Sequence, residues 1–384
     1  MEKVAIIGVG VEGYRSAIRE LSYKEMVYQA AIRAYTDAKV NPRTEVDTFI
    51  SCEEDFNMGT SITDEYAPDQ MGGAQRPVHT ITGDGIQGMA AAYMQIATGL
   101  FDIAVVEAQS RASDIFSHNQ IQHFALDPIY ARQFDATHHV GGALEKRAYM
   151  QDSGTTEEAM YEVAVKNYNN AILNPNAAYG NTATANDIKI SKMVSSPLRE
   201  AEIAESADGA VVVVMASEKV VKEKDVNPVW VKGISYFTNS PNYYNREWST
   251  AKYAALCAHK AYQQSGITKP KDQIDIFEVD DTYAFKELQH LEAMGVYGKG
   301  ESGKATLNGE TKRTGSTPVN VSGGVLGMGN GHDSNGLQRV SEIVDQLRGH
   351  AGRRQVKGVE TGMAFSWRGV PTTAGALTIL STKE

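Results

Sequence analysis

The chain is poor in cysteine, in long apolar runs and in basic charge. Its 384 residues include two cysteines, Cys52 and Cys257, far apart and without metal-ligand spacing. Neither a disulfide framework nor a zinc site is indicated, no metal is expected, and a reducing cytoplasm fits. No run of about 20 apolar residues occurs, so no transmembrane helix is expected. No signal-peptide pattern is seen either, because the chain opens directly on a strand, Lys3–Ile7. The net charge is −10 and the isoelectric point about 5.5. That balance argues against a broad nucleic-acid surface and leaves room only for local basic patches. What is present is ordinary globular material, 42% apolar and 22% charged. It is long enough for one large or two similar domains.

Charge is almost missing from one stretch in particular, Val78–Gly99. It reads as a short apolar strand, a tight Gly83-Asp84-Gly85 turn and a helix to about Thr98. Gly88, Met89, Ala90, Ala91, Ala92, Met94, Ile96 and Ala97 leave that helix no polar face, and a helix apolar all round is buried. Its N-terminus offers free N–H groups and the positive end of the helix dipole. Such an end suits a nucleophile, a thioester oxygen or an anion.

Elsewhere the pattern alternates. Val4–Ile7 is a buried strand, followed by Gly8-Val-Gly-Val-Glu-Gly13. That motif matches G-x-G-x-x-G, but the next helix starts only near Ser22 and the next strand near Val46, so a glycine-rich turn is expected instead of a dinucleotide site. Ser22–Ala38 is an amphipathic helix with Ser22 as N-cap. Val46–Ser51, Ile103–Ala108 and Asp208–Met215 are strands, and Thr155–Asn169 is a helix. Residues 110–155, rich in His, Gln and Asp and without clear period, read as an inserted loop region.

A repeat divides the chain. Ala31–Val40 followed by Val46–Phe49 can be set beside Ala258–Ile267 followed by Ile274–Phe277, with Ala-Tyr and Asp-x-Phe shared. Duplication predicts two mixed α/β halves, residues 1–225 (with an inserted region at about 110–200) and 226–384, packing helices face to face.

Duplicated halves, the buried helix and Asn320-Val-Ser-Gly-Gly324 together resemble the thiolase superfamily, closest to its sterol-carrier-protein-x and archaeal type. Ser206-Ala-Asp-Gly-Ala210 and Glu278-Val-Asp-Asp-Thr-Tyr283 are similar to two further blocks of that family. The resemblance implies a five-layered αβαβα α/β fold and acyl-CoA chemistry, with coenzyme A as substrate and no permanently bound cofactor. It implies a homodimer and, by likeness to two-component enzymes, a small OB-fold/zinc-ribbon partner. The implied reaction makes or breaks a C–C bond in a 3-oxoacyl-CoA, for example benzoylsuccinyl-CoA to benzoyl-CoA plus succinyl-CoA. A retro-aldol lyase on a hydroxyacyl-CoA and a non-catalytic CoA-binding scaffold are the rivals.

The catalytic positions depart from the family pattern. The acylated cysteine falls on Thr82, or with a small shift on Gly85; the two histidines fall on Asp280 and Asn330, and the C-terminal oxyanion loop on Ser366–Pro371. Thr82 is a nucleophile or a turn cap, and Asp84 an N-cap with a depressed pKa or a catalytic residue. Asp280 is the first choice for acid/base work, with a structural cap as its alternative. Asn330 suits an oxyanion donor. His332 suits an acid/base or a plain surface loop residue. Gly83 and Gly85 offer backbone donors, and Tyr283 a phenolic donor or core packing. Trp367 and Arg368 fit a bulky or carboxylated acyl group, or packing and an ion pair. Cys52 and Cys257 are not expected to substitute as nucleophiles. His118, His123, His138 and His139 match no ligand spacing and are expected in a covering segment. Arg132, Lys146 and Arg147 stand near that cover as possible CoA contacts.

Overall fold

The computed structural model describes residues 2–54, 62–115, 118–124, 126–134, 137–240, 242–369 and 373–384. Its main elements in chain order are β1 (Val4–Arg15), α1 (Tyr23–Ala38), β2 (Thr48–Cys52), β3 (Val78–Ile81), α2 (Gly85–Ala97) and β4 (Ile103–Ser110). The inserted region follows with α3 (His118–Phe124), α4 (His138–Ser153), α5 (Glu157–Ala171) and a small hairpin of β5 (Met193–Ser195) and β6 (Leu198–Arg199). Then come β7 (Asp208–Ser217), β8 (Val229–Thr238), α6 (Lys252–Ser265), β9 (Ile276–Glu278), α7 (Ala284–Ala293), α8 (Gly324–Met328), α9 (Asn335–Arg348), β10 (Thr361–Arg368) and β11 (Ala374–Ser381).

Duplication is written into the strand order, β3-β2-β4-β7-β1-β8-β11-β10-β9. From the β1/β8 junction outward, each half runs antiparallel, antiparallel, parallel: β1-β7-β4-β2 on one side and β8-β11-β10-β9 on the other. Within the sheet the halves pair through Ala5–Trp230 and Ile6–Val229. Three apolar clusters separate the layers. One packs α1 on the outer face of the N-terminal half, through Met26, Ala30 and Ala34 against Ile7, Val212 and Val214. Another packs α5, α6 and α7 outside the C-terminal half. The third is central, and there Ile86, Met89 and Ile96 of α2 meet Leu337, Val340 and Ile343 of α9 between strands of both halves. The uncharged helix thus lies in the middle layer with most of its residues buried, although Met94 is 52% exposed, so it is not buried all round as its composition predicts.

Two sequence expectations need correction. The glycines after Ile7 do not form a turn, because β1 runs on to Arg15. A Cβ on Gly10 would lie 2.0 Å from the Ala30 carbonyl oxygen and one on Gly8 2.3 Å from that of Ala34. The glycines let α1 lie against the strand, which is a packing role and not a phosphate-binding one. Residues 110–155 are also more regular than expected, since α3 and α4 occupy much of them. Ser22 does cap α1, in a capping box with Glu25.

Candidate active site

The site is built where the N-termini of α2 and α9 converge. Asp84 is the N-cap of α2, forms a capping box with Gln87 and accepts from the Ile86 N–H at 2.9 Å. Its other oxygen accepts from the Gly336 N–H at 2.8 Å and from the Ser366 hydroxyl at 2.6 Å. Burial pushes its carboxyl up to about 6 against these hydrogen bonds, which overturns the depressed pKa expected of this cap. Gly336 must be glycine, because a Cβ there would stand 1.9 Å from Asp84 Oδ1. Thr82 is exposed, and the cap is Asp84. Gly83 and Gly85 are buried beside it.

A second group lies on the loop before α9. Asn330 Oδ1 accepts from the His332 N–H at 3.0 Å and from Asn335 Nδ2 at 2.8 Å. This holds His332 in the left-handed region, φ 50°, a conformation uncommon for a side-chain-bearing residue. His332 Nε2 lies 3.4 Å from the Ser206 hydroxyl. Burial lowers its pKa to about 3, helped by His118, so the ring is neutral.

Asp280 lies deeper. It is fully buried, pairs with Arg339 at 2.7 Å, and accepts from the Thr282 N–H at 3.0 Å. Asp281 points elsewhere, to Asn167 Nδ2 at 2.7 Å and the Val325 N–H at 2.5 Å. The two adjacent carboxylates therefore serve different partners, as alternation requires.

Trp367 is 4% exposed. It packs against Tyr253, Tyr283 and His290, with Lys286 Nζ 4.1 Å from its ring. Tyr283 is buried, and its hydroxyl meets His139 Nδ1 at 3.3 Å. Arg368 pairs with Glu54 and lies 3.6 Å from Asp333. Val370 and Pro371 of the expected oxyanion loop lie outside the described residues.

Neither cysteine is poised as a nucleophile. Cys52 is sealed against α2, where a Cβ on Gly88 would come 2.1 Å from its sulfur. Burial pushes its thiol far up, reinforced by Glu107, Asp84, Asp333 and Glu53. Cys257 sits inside α6 and donates to the Gly375 carbonyl, its thiol pushed up to about 12 by burial. The cover cations divide. Lys146 is fully buried on Glu202 at 2.7 Å and serves structure. Arg132 donates to the carbonyls of Phe124 and Leu126. Arg147 is exposed and lines a surface cavity of about 570 Å³ with Thr155, Thr156 and Glu158.

Arg339 escapes sequence reasoning, and so does the tie from Ser366 to Asp84. Arg339 stands on α9 between the core residues Leu337 and Val340 and is itself 1% exposed. A charged residue there reads as the solvent face, and only its proximity to Asp280 reveals otherwise.

A family profile described as "Thiolase C-terminal domain-like" matches residues 236–382. The benzoylsuccinyl-CoA thiolase subunit BbsB of Thauera aromatica is 30% identical over 278 residues, 70% of this chain and 69% of that one. The chain belongs to the thiolase superfamily, within its sterol-carrier-protein type. An acetyl-CoA acetyltransferase of Methanothermobacter thermautotrophicus is 29% identical over 97% of this chain and 98% of its own. In fold, this thiolase-superfamily chain superimposes on the Ltp2-ChsH2(DUF35) aldolase with a TM-score of 0.85 at 23% identity, covering 100% and 98% of the two chains. No helix among the described residues is long and apolar enough to cross a membrane.

Proposed function

We propose that this chain makes or breaks a carbon–carbon bond in an acyl-CoA without a covalent acyl-enzyme. The observation that carries the reading is Cys52, the cysteine packed against α2, which is buried among carboxylates with its thiol far above the thiolate range. Without a protein thiolate, the sulfur nucleophile of a thiolase reaction must come from free CoA. CoA sulfur then adds to the ketone of a 3-oxoacyl-CoA, such as a bulky or aromatic one of the benzoylsuccinyl-CoA kind. The C–C electron pair leaves on the α-carbon of the second thioester, and the thiol proton ends on that carbon.

The roles follow from what each group has free. His332 is neutral and stacks on His118, so the proton is handled by this imidazole pair. Asn330 uses its oxygen to hold His332 and Asn335, which leaves its Nδ2 donors for an oxyanion. The N–H groups of Gly83 and Gly85 supply the second oxyanion site at the positive end of α2. Asp84 ties that end down. Asp280 has both oxygens engaged, so its part is to brace Arg339. Trp367, Tyr283 and Arg368 form the wall behind the acyl group, and of the three cover cations Arg147 is the exposed one and is assigned to CoA phosphate. Thr82 takes no covalent part.

A retro-aldol cleavage of a 3-hydroxyacyl-CoA is the second reading. The same missing thiolate favours it, because that reaction needs no sulfur nucleophile at all. For assembly we propose a homodimer and a small OB-fold/zinc-ribbon subunit. The half-buried β3 at the open edge of the sheet supports the first, and the complex formed by the Ltp2-ChsH2(DUF35) aldolase supports the second. A reducing cytoplasm is the proposed setting.

The test is co-expression with such a partner, then mass spectrometry of paired acyl-CoAs with and without free CoA. Thiolysis predicts two acyl-CoA products and consumption of CoA. Cleavage that ignores CoA selects the retro-aldol reading. Tight CoA binding with no turnover under any pairing sinks both and leaves a scaffold.

A further inference from the structure

The inserted region carries its histidines to the site. His118 of α3 lies face to face with His332, their ring centroids 4.8 Å apart and planes within 18° of parallel. At the start of α4, His138 and His139 have ring centroids 3.8 Å apart, and the charges that act on His138 are those of the other three imidazoles. His139 in turn meets the Tyr283 hydroxyl, and Ser206 faces His332. His123, the fourth histidine of the inserted region, is directed to the Arg132 carbonyl at 3.0 Å.

The two nitrogens of His118 differ. Nε2 lies 3.4 Å from the Ala112 carbonyl, which only accepts, so Nε2 carries the hydrogen and Nδ1 the lone pair. That Nδ1 is buried and has no partner among the described residues. A buried acceptor left bare is costly and calls for a reactant or ligand to satisfy it. Parallel stacking does not aim the rings at a common point. Among the described residues no group of three or more His, Cys, Asp or Glu could hold a metal ion.

Two imidazolium rings stacked at this separation, with further imidazoles beside them, repel each other. The pair therefore holds one proton or none. We infer that His118 and His332 form a one-proton acid–base pair, with His118 Nδ1 as the atom that takes the proton. This rests on the functional reading above, which requires a single proton to travel. In thiolysis the S–H proton of CoA moves to Nδ1 as the S–C bond forms. The C–C bond breaks, its electron pair goes to the α-carbon, and the same proton returns to that carbon. In a retro-aldol step the proton comes from the β-hydroxyl as its C=O forms. Either way the imidazole ends neutral and no further reactant is needed.

The test uses the full-length protein labelled with 15N-histidine, following ring nitrogen signals with pH in the wild type and in His118→Gln. The expected result is an Nε2–H tautomer at His118. In the variant, His332 should protonate about one pH unit higher or more, because a like-charge neighbour is gone. An Nδ1–H tautomer, or an unmoved His332, overturns the pair whether or not any acyl-CoA reacts. In the turnover assay His118→Gly is expected to lose about 100-fold in kcat, with KM little changed, and to recover with added imidazole. A kcat close to wild type overturns His118 as the proton acceptor. His118→Phe keeps the stack and must show the same loss, which separates chemistry from folding. If the titrations come out as expected while no acyl-CoA reacts, the pair stands and the functional reading falls.

Discussion

Ser366 donates its hydroxyl proton to Asp84 Oδ2 at 2.6 Å, on the same oxygen that takes the Gly336 N–H at 2.8 Å. One carboxylate thus fastens α2, α9 and β10 to each other, joining the two halves at the point where the site is built. Asp84→Ala removes an N-cap and strands two buried N–H groups, so a loss of about 3 kcal/mol is expected. Ser366→Ala removes one bond to the carboxylate and should cost about 1.5 kcal/mol. Urea unfolding of both variants checks this. A Ser366→Ala midpoint equal to wild type would show that the tie carries no weight.

Cys52 and Gly88 are matched in size. A methyl on Gly88 would stand 2.1 Å from the Cys52 sulfur and 2.9 Å from Val106 Cγ1. Gly88→Ala is therefore expected to destabilise by about 1–3 kcal/mol through overpacking. Cys52→Ala in the same chain should recover part of that loss, because it removes the nearer atom. A double-mutant cycle measures the coupling. Cys52→Ala alone should leave turnover near wild type, and a trapped acyl group on Cys52 would end the non-covalent mechanism.

Much of this was legible in the sequence where one physical signal dominated. Ser22 and Glu25 mark the start of α1, and the absence of charge from Gly85 to Ala97 places α2 in the middle layer. The Ala-Tyr and Asp-x-Phe repeat is matched by the mirrored strand order. Legibility failed where a residue's reason lay in a distant partner. Gly8 and Gly10 read as a turn because nothing local says that α1 presses on them. Helix α4 shows little apolar pattern because it meets the site through Gly142, where a Cβ would lie 2.7 Å from the Tyr283 ring. His118 and His332 are 214 positions apart by their numbers, and only folding stacks them.

Asp280 and Arg339 form the deepest ion pair of the site, with side chains 0% and 1% exposed. Arg339 Nε and Nη1 have no partner of their own among the described residues. Removing either member leaves an uncompensated buried charge, so Asp280→Ala and Arg339→Met are each expected to cost about 3–5 kcal/mol. Replacing both should cost less than the sum of the two. Thermal melts of the three variants test the brace. If Asp280→Asn keeps wild-type stability yet abolishes turnover, Asp280 is an acid/base and its proposed role as a brace is wrong.

Asp281 contributes to the pH dependence of stability with a definite sign. Burial pushes its carboxyl up from 3.8 to about 7, with Glu287 adding to the shift and Arg339 opposing it. The folded chain therefore holds a proton that the unfolded chain has already released. Between about pH 4 and pH 7 the native state binds more protons at this site, so its contribution falls as pH rises and is flat above that window. His138 and His332 work the other way. Their pKa values fall from 6.5 to about 3, so stability drops as pH decreases through that range. The two effects overlap, and a single melting curve against pH cannot separate them. The stability difference between wild type and Asp281→Asn can, because the histidines cancel in it. That difference should shift steadily against the wild type from pH 5 to pH 7 and then stop changing. A difference that is constant across this range would mean that Asp281 is ionised in the folded chain throughout, with Asn167 and the Val325 N–H sufficient to hold its charge.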